Sequence, residues 1–148
     1  ENFSFNDIWM ERDGGRMAHV RVWINGQLHE ERLRCDSVLV CTAAGTTAYA
    51  MRLGATPTYW FRPSLTMVAS AVLDPPYQRS WGIDPQSKIK LDALDSDFRP
   101  VRVFVDGVKY DNIQEARIRV SRIAAAELAF HPDYDVTERV RNIHKLTN

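Results

Sequence analysis

The stretch from Ala18 to Ile24 constrains the fold more than any other part of this chain. Ala18, Val20, Val22 and Ile24 are apolar, and His19, Arg21 and Trp23 stand between them. A period of two places alternate side chains on opposite faces of an extended strand. Asn25-Gly26 follows at once, a pair suited to the positive φ angles of a two-residue hairpin turn. The return strand is expected through Leu28 to Leu33, with its charged residues toward solvent. The same grammar recurs downstream. Ser87 to Leu94 alternates through Ile89 and Leu91, and Val101, Val103 and Val105 lead into Asp106-Gly107, a second hairpin turn. Ile118 and Val120 alternate with Arg117 and Arg119, and Glu127 to Phe130 reads as a short final strand. Asp74-Pro-Pro76 and Asp84-Pro85 mark loops.

Helical periodicity is confined to a short turn after Gly45 and to Asp135–Leu146. In the latter, Val136, Val140 and Ile143 share a face, and Glu138 follows Asp135 by three as in a capping box. Many short strands separated by turn signals predict an all-β, antiparallel β-sandwich. With 148 residues, 45% of them hydrophobic, the chain is long enough for one cored domain, expected to span residues 1–148. Repeats and low-complexity tracts are absent from the sequence.

Charge excludes several partners. Lysine plus arginine and aspartate plus glutamate both total 19, which gives no electrostatic case for nucleic acid or an anionic membrane. No apolar run approaches the roughly 20 residues of a membrane helix. Cys35 and Cys41 make no disulfide framework. His19, His29, His131 and His144 are too scattered for a zinc site. No basic-then-apolar leader is present, so a cytoplasmic protein is expected. Because the chain opens on Glu1 rather than a methionine, it is expected to be a piece of something longer.

The chemistry concentrates between Asp36 and Tyr49. Val38 to Cys41 is a short apolar run that reads as a buried strand, and Thr42 to Tyr49 contains only small, hydroxyl-bearing and one aromatic side chains. Gly45 is expected to supply a positive φ, and Thr46 or Thr47 to cap a helical turn through Ala48, Tyr49 and Met51. Amides, hydroxyls and a phenol would then surround one concave spot suited to a polar, planar ligand. A tight turn and capped helix with nothing bound fit the same residues. Asn6-Asp7 is either a strand-entry pair or a ribose holder, since one carboxylate accepts from two vicinal hydroxyls. Arg34 and Asp36 lie two apart, so on an extended strand they share a face and suit a salt bridge. Tyr49 offers a ring for stacking and a hydroxyl for a phosphate or ribose, or packs half-buried at a helix start. A hairpin turn accounts for Asp106-Gly107 in full. Trp23, Trp60, Trp81, Tyr59 and Phe61 are expected in a core or an interface.

Thr42-Ala-Ala-Gly-Thr-Thr-Ala-Tyr49 resembles the T-P-T/S-G-S/T-T-A-Y signature of the NAD kinase family. The resemblance continues in register. Asn6-Asp7-Ile8 is similar to the family's Asn-Glu or Asn-Asp pair, and Arg34 and Asp36 to its Arg-x-Asp pair. Asp106-Gly107 resembles its late Asp-Gly or Asp-His, and Tyr134-Asp-Val136 with the tail to Leu146 its closing segment. The resemblance implies the family's C-terminal β-sandwich domain, with the N-terminal catalytic-loop domain absent. It implies a site for NAD or NADP built from Asn6, Asp7, Arg34, Asp36, Thr42, Gly45, Thr46, Thr47, Ala48 and Tyr49. The intact parent would transfer phosphate from ATP to the adenosine ribose of NAD. The family's pairing through its sandwiches implies a homo-oligomer.

The chain also departs from the pattern. Ala43 stands for the signature proline, Ala44 for a hydroxyl residue, and Arg52-Leu-Gly-Ala-Thr56 for the Ser-x-Gly-Gly-Pro continuation. The family's Gly-Gly-Asp-Gly loop, which carries its general base, does not occur in these 148 residues. Catalytic residues are therefore not expected on this chain, and ATP and magnesium are expected only with the missing domain. Two further readings follow: a related lipid or diacylglycerol-type kinase, and a non-catalytic ligand-sensing or oligomerisation module. The latter draws on Ala43, Ala44, Ala55 and the aromatic run Tyr59-Trp-Phe61.

Overall fold

The computed structural model describes residues 1–73 and 80–146. Among the described residues, ten strands form two antiparallel sheets. Six make the larger sheet: β1 (Asp7–Arg12), β4 (Ser37–Thr42), β5 (Leu65–Ser70), β6 (Ser80–Ile83), β8 (Val101–Val105) and β9 (Val108–Tyr110), in the order β6-β5-β4-β1-β8-β9. The smaller sheet has the order β10-β7-β2-β3, from β2 (Ala18–Ile24), β3 (Gln27–Cys35), β7 (Ile89–Leu94) and β10 (Glu115–Ile118). The expected sandwich is thus the observed fold. Its core lies between the sheets, where Met10, Val38, Val40, Met67 and Val103 meet Val20, Leu33, Ile89 and Leu91 in one buried cluster.

The hairpins form where the dipeptides predict them. Asn25 and Gly26 have φ of 53° and 79°, Asp106 and Gly107 of 44° and 85°. β2 pairs with β3 in register from Ala18↔Cys35 to Ile24↔Gln27, with irregularities around Val22.

The outer face of the larger sheet is also covered. Leu39, Cys41 and Val68 form a second buried cluster with Ala50 and Ala55, and Trp9 and Leu53 pack against it. The cover is the segment after β4: a 3-10 turn at Ala44–Thr47, then a four-residue helix, α1 (Tyr49–Arg52). Helix α2 (Val136–Leu146) begins as the capping box predicts, the Glu138 amide donating to Asp135 Oδ1 at 2.9 Å.

Two details differ from the sequence reading, and a third lies where it cannot be compared. Glu127–Phe130 is not a strand: Leu128 lines a cavity, and the Phe130 ring stacks on Tyr134 at 5.4 Å and meets Trp60 at 5.7 Å. The alternation there serves irregular packing, not a ladder. Strand β10 ends at Ile118, short of Val120. The expected loop at Asp74-Pro-Pro76 lies outside the described residues.

Candidate functional site

The ends of β1 and β4 build the site. Asp7 opens β1 opposite Cys41, and Thr42 closes β4. The Thr42 amide donates to the Asn6 carbonyl at 2.9 Å, and its hydroxyl donates to the Phe5 carbonyl at 2.8 Å. Chain 4–7 is thereby fastened to the turn that follows β4. Gly45 sits directly on this junction. A Cβ there would lie 2.1 Å from the Asn6 carbonyl oxygen and 2.9 Å from Cys41 Cβ. Gly45 does not adopt the positive φ expected of it. Glycine is required for close approach of two backbones, not for turn handedness.

The threonines are engaged within the fold. The Thr42 hydroxyl accepts from the Gly45 amide at 3.2 Å. Thr46, fully buried, donates to the Ala43 carbonyl at 2.6 Å and accepts from the Thr58 amide at 2.8 Å. Thr47 donates to the Ala44 carbonyl at 3.1 Å. Neither Thr46 nor Thr47 caps α1, which starts after Ala48 without a side-chain cap. In a helix of four residues these hydroxyls are better satisfied by local carbonyls than by a distant amide.

A cavity of about 430 Å³ opens at this junction. Ser4 to Asp7, Thr42 to Ala44, Ser64 and the tail after β10, including Arg119 and Ser121, line it. Asp7 is its chemical centre. The residue is 5% exposed, and among the described residues no donor reaches its carboxylate. Burial, then the charge of Asp106, pushes its pKa up to about 6. Ser64 Oγ, on the same wall, is buried and likewise has no hydrogen-bond partner among the described residues. Buried polar groups are almost always paired within a protein, so a buried carboxylate without a donor among the described residues marks where a ligand's polar groups fit.

Not all of the sequence candidates meet there. Asn6, Asp7 and Thr42 line the cavity. Asp36 and Tyr49 line a separate polar cleft of about 300 Å³ with Glu11, Arg12 and Arg102. That cleft lies at the other end of β1, since Asp7 pairs with Cys41 and Glu11 with Ser37. The two pairs are four positions apart along the strand, about 13 Å. Within this chain, then, Asn6 and Asp7 line one cavity, and Asp36 and Tyr49 line the other.

The Arg34–Asp36 salt bridge is corrected. Asp36 falls in the bend between β3 and β4, where the chain crosses from one sheet to the other, so the shared face of an extended strand is lost. Asp36 pairs instead with Arg12 at 2.7 Å. Tyr49 is 44% exposed, its ring 5.4 Å from Trp9, which in turn stacks on Phe104 at 4.6 Å. The charges of this second cleft satisfy each other: Arg102 reaches Glu11 at 2.7 Å, and Arg12 holds Asp36 and the Gly14 carbonyl. Among the described residues, no group of three His, Cys, Asp or Glu side chains is placed to hold a metal ion.

Asp106 is the participant that turn reasoning passed over. Its carboxylate faces residues 4–7 and accepts from the amides of Phe5, Asn6 and Asp7 and from the Ser4 hydroxyl. The family register singled out Asp106-Gly107, but a hairpin turn was sufficient reason for an Asp-Gly pair.

Fold and site together define an antiparallel sandwich domain carrying a buried, unpaired carboxylate at the lip of a ligand-sized cavity. No family model matches the chain. Curated NAD kinases are nevertheless similar to it over almost its whole length. It is 26% identical over 137 residues to the NAD kinase of Mesorhizobium japonicum, covering 93% of this chain and 53% of that protein. The NAD kinase of Xylella fastidiosa strain Temecula1 is 28% identical over 140 residues, covering 95% of this chain and 54% of the relative. The chain therefore spans about half the length of these curated relatives. Among solved structures, an NAD kinase from Archaeoglobus fulgidus in complex with ATP superposes with a TM-score of 0.70 at 23% identity, over 80% of this chain and 46% of that one. Yeast NADH kinase complexed with NADH gives a TM-score of 0.70 at 21% identity, over 77% of this chain and 34% of the other. The fold is that of these kinases.

Proposed function

We propose that this chain is the nucleotide-binding sandwich domain of an NAD-kinase-like protein, and that its cavity receives the ribose of NAD or NADP. The observation that carries the reading is the Asp7 carboxylate: buried, lacking a donor among the described residues and lining the cavity. Two vicinal hydroxyls suit such an acceptor, because each carboxylate oxygen takes one hydrogen bond. Desolvation strengthens those bonds, since water no longer competes for the oxygens. The Asn6 side chain offers a donor beside it. The names of the relatives support the same nucleotide.

In this reading the intact protein transfers a phosphoryl group from ATP to the adenosine ribose of NAD. The present chain binds and orients the acceptor, while the general base, ATP and magnesium belong to another domain. No described cluster here fits a metal. Phosphoryl transfer depends on charge placed around the transferred group, and among the described residues Arg119 is the one cation lining this cavity. The protein would work in the cytoplasm. It would also pair with copies of itself through the sandwich, where Trp60, Phe61, Phe130 and Tyr134 leave exposed aromatic surface.

Calorimetric titration of the isolated chain with NAD and NADP tests the first part, and a coupled assay for NADP formation the second. Weak nucleotide binding with no turnover is expected. Turnover by the purified chain, or binding that survives loss of the Asp7 carboxylate, would refute the assignment.

A further inference from the structure

The segment from Ser4 to Asp7 forms one wall of the cavity, yet only its last residue belongs to a strand. Something must hold it in place. Thr42 secures its carbonyls on one side, at Phe5 and Asn6. Its amides are secured from the other side by a residue about a hundred positions away. Asp106 Oδ1 accepts from Ser4 Oγ at 2.7 Å, from the Asn6 amide at 2.9 Å and from the Asp7 amide at 3.1 Å. Oδ2 accepts from the Phe5 amide at 2.6 Å. The Asp106 amide completes the arrangement by donating to the Asp7 carbonyl at 3.0 Å. A hairpin turn needs none of the side-chain bonds. Asparagine or glycine would serve the φ of 44° at this position equally well.

We propose that Asp106 is a positioning residue, a latch that fixes the 4–7 strap and thereby sets where Asn6 and Asp7 stand at the cavity. Asp106 does not itself line the cavity, so it acts through the residues it holds. Three successive amides converging on one carboxylate form a nest for an anion, and here the protein supplies the anion itself. Burial alone would raise the pKa of Asp106, but the Phe5 amide, the Ser4 hydroxyl and the amides of Asp7 and Asn6 hold it below the ordinary carboxylate value. The latch is therefore closed at neutral pH. Its consequence for binding rests on reading the cavity as a nucleotide site.

The test uses Asp106→Asn, which keeps the turn preference and removes the charge, with Ser4→Ala as a milder companion. Amide hydrogen exchange followed by NMR reads the strap, and titration with NAD reads the cavity. Exchange at Phe5, Asn6 and Asp7 is expected to rise at least about tenfold in Asp106→Asn, with Met10 and Val103 unchanged. NAD affinity is expected to fall about tenfold, with a smaller loss for Ser4→Ala. Unchanged exchange at 5–7 would refute the latch, and a freed strap with unchanged NAD affinity would refute its positioning role. A wild-type chain that binds no nucleotide, while Asp106→Asn still frees the three amides, would sink the nucleotide reading and leave the latch standing.

Discussion

Replacing Asp7 with asparagine should make the protein more stable and less able to bind. The carboxyl titrates near 6 in the folded chain against an ordinary value of 3.8, because burial and the charge of Asp106 disfavour ionisation. The folded state therefore holds this proton more tightly than the unfolded state does. The stability associated with that proton is fully present below pH 3.8 and is lost as pH rises through about 6. The difference of about two units corresponds to about 3 kcal/mol at most, from 1.36 kcal/mol per unit. At 5% exposure, little of this is screened by solvent. Asparagine keeps the shape but cannot ionise. In urea unfolding between pH 4 and pH 8, Asp7→Asn should match the wild type at the acid end and exceed it by about 2 kcal/mol at pH 8. NAD affinity should fall by at least about tenfold, since an amide NH2 replaces one of the two carboxylate oxygens that each accept from a ribose hydroxyl. A stability difference that stays flat from pH 4 to pH 8 would refute the desolvation argument. Greater stability with unchanged NAD binding would separate the strained carboxylate from the ligand. Functional sites commonly hold destabilised groups in this way.

Two further substitutions probe the junction and the second cleft. Gly45→Ala drives a methyl group into the Asn6 backbone, which cannot swing aside as a side chain can. A loss of about 3 kcal/mol or more in chemical denaturation is expected, together with loss of nucleotide binding. Asp36→Ala removes a partly exposed pair with Arg12 at the far end of β1. It should cost under about 1 kcal/mol and leave NAD affinity of the isolated chain unchanged, as calorimetry on the variant would show.

Strands whose outer side meets water were legible in the sequence through their alternation, whereas β5, covered on both sides, was not. β2 alternates because one face meets the core and the other solvent, and its Asn25-Gly26 turn fixes its end. β5 runs Leu65-Thr-Met-Val-Ala-Ser70, with Leu65, Met67 and Ala69 in the main core while Val68 packs beneath α1. With both sides covered, the period of two disappears and the segment gives no strand signal. β4 has the same burial but was found through its unbroken apolar run. β6, four residues at a sheet edge, is too short to show a period at all.

The site was legible for the same kind of reason, and only in part. Local chemistry marked Asn6-Asp7 and Thr42 to Tyr49, but it could not show which partners each hydroxyl would choose. The structure turns the threonine hydroxyls inward: Thr42 ties down the strap, Thr46 anchors the Thr58 amide, and Thr47 closes its own turn. The small-residue signature thus works mainly as architecture, seating one backbone against another at Gly45. What faces the cavity with its bonding capacity unspent is the Asp7 carboxylate, raised at the lip by Asp106 beneath the strap and Thr42 beside it. A motif that looks like a ligand's cradle is here the scaffold that holds a single buried charge where a ligand would meet it.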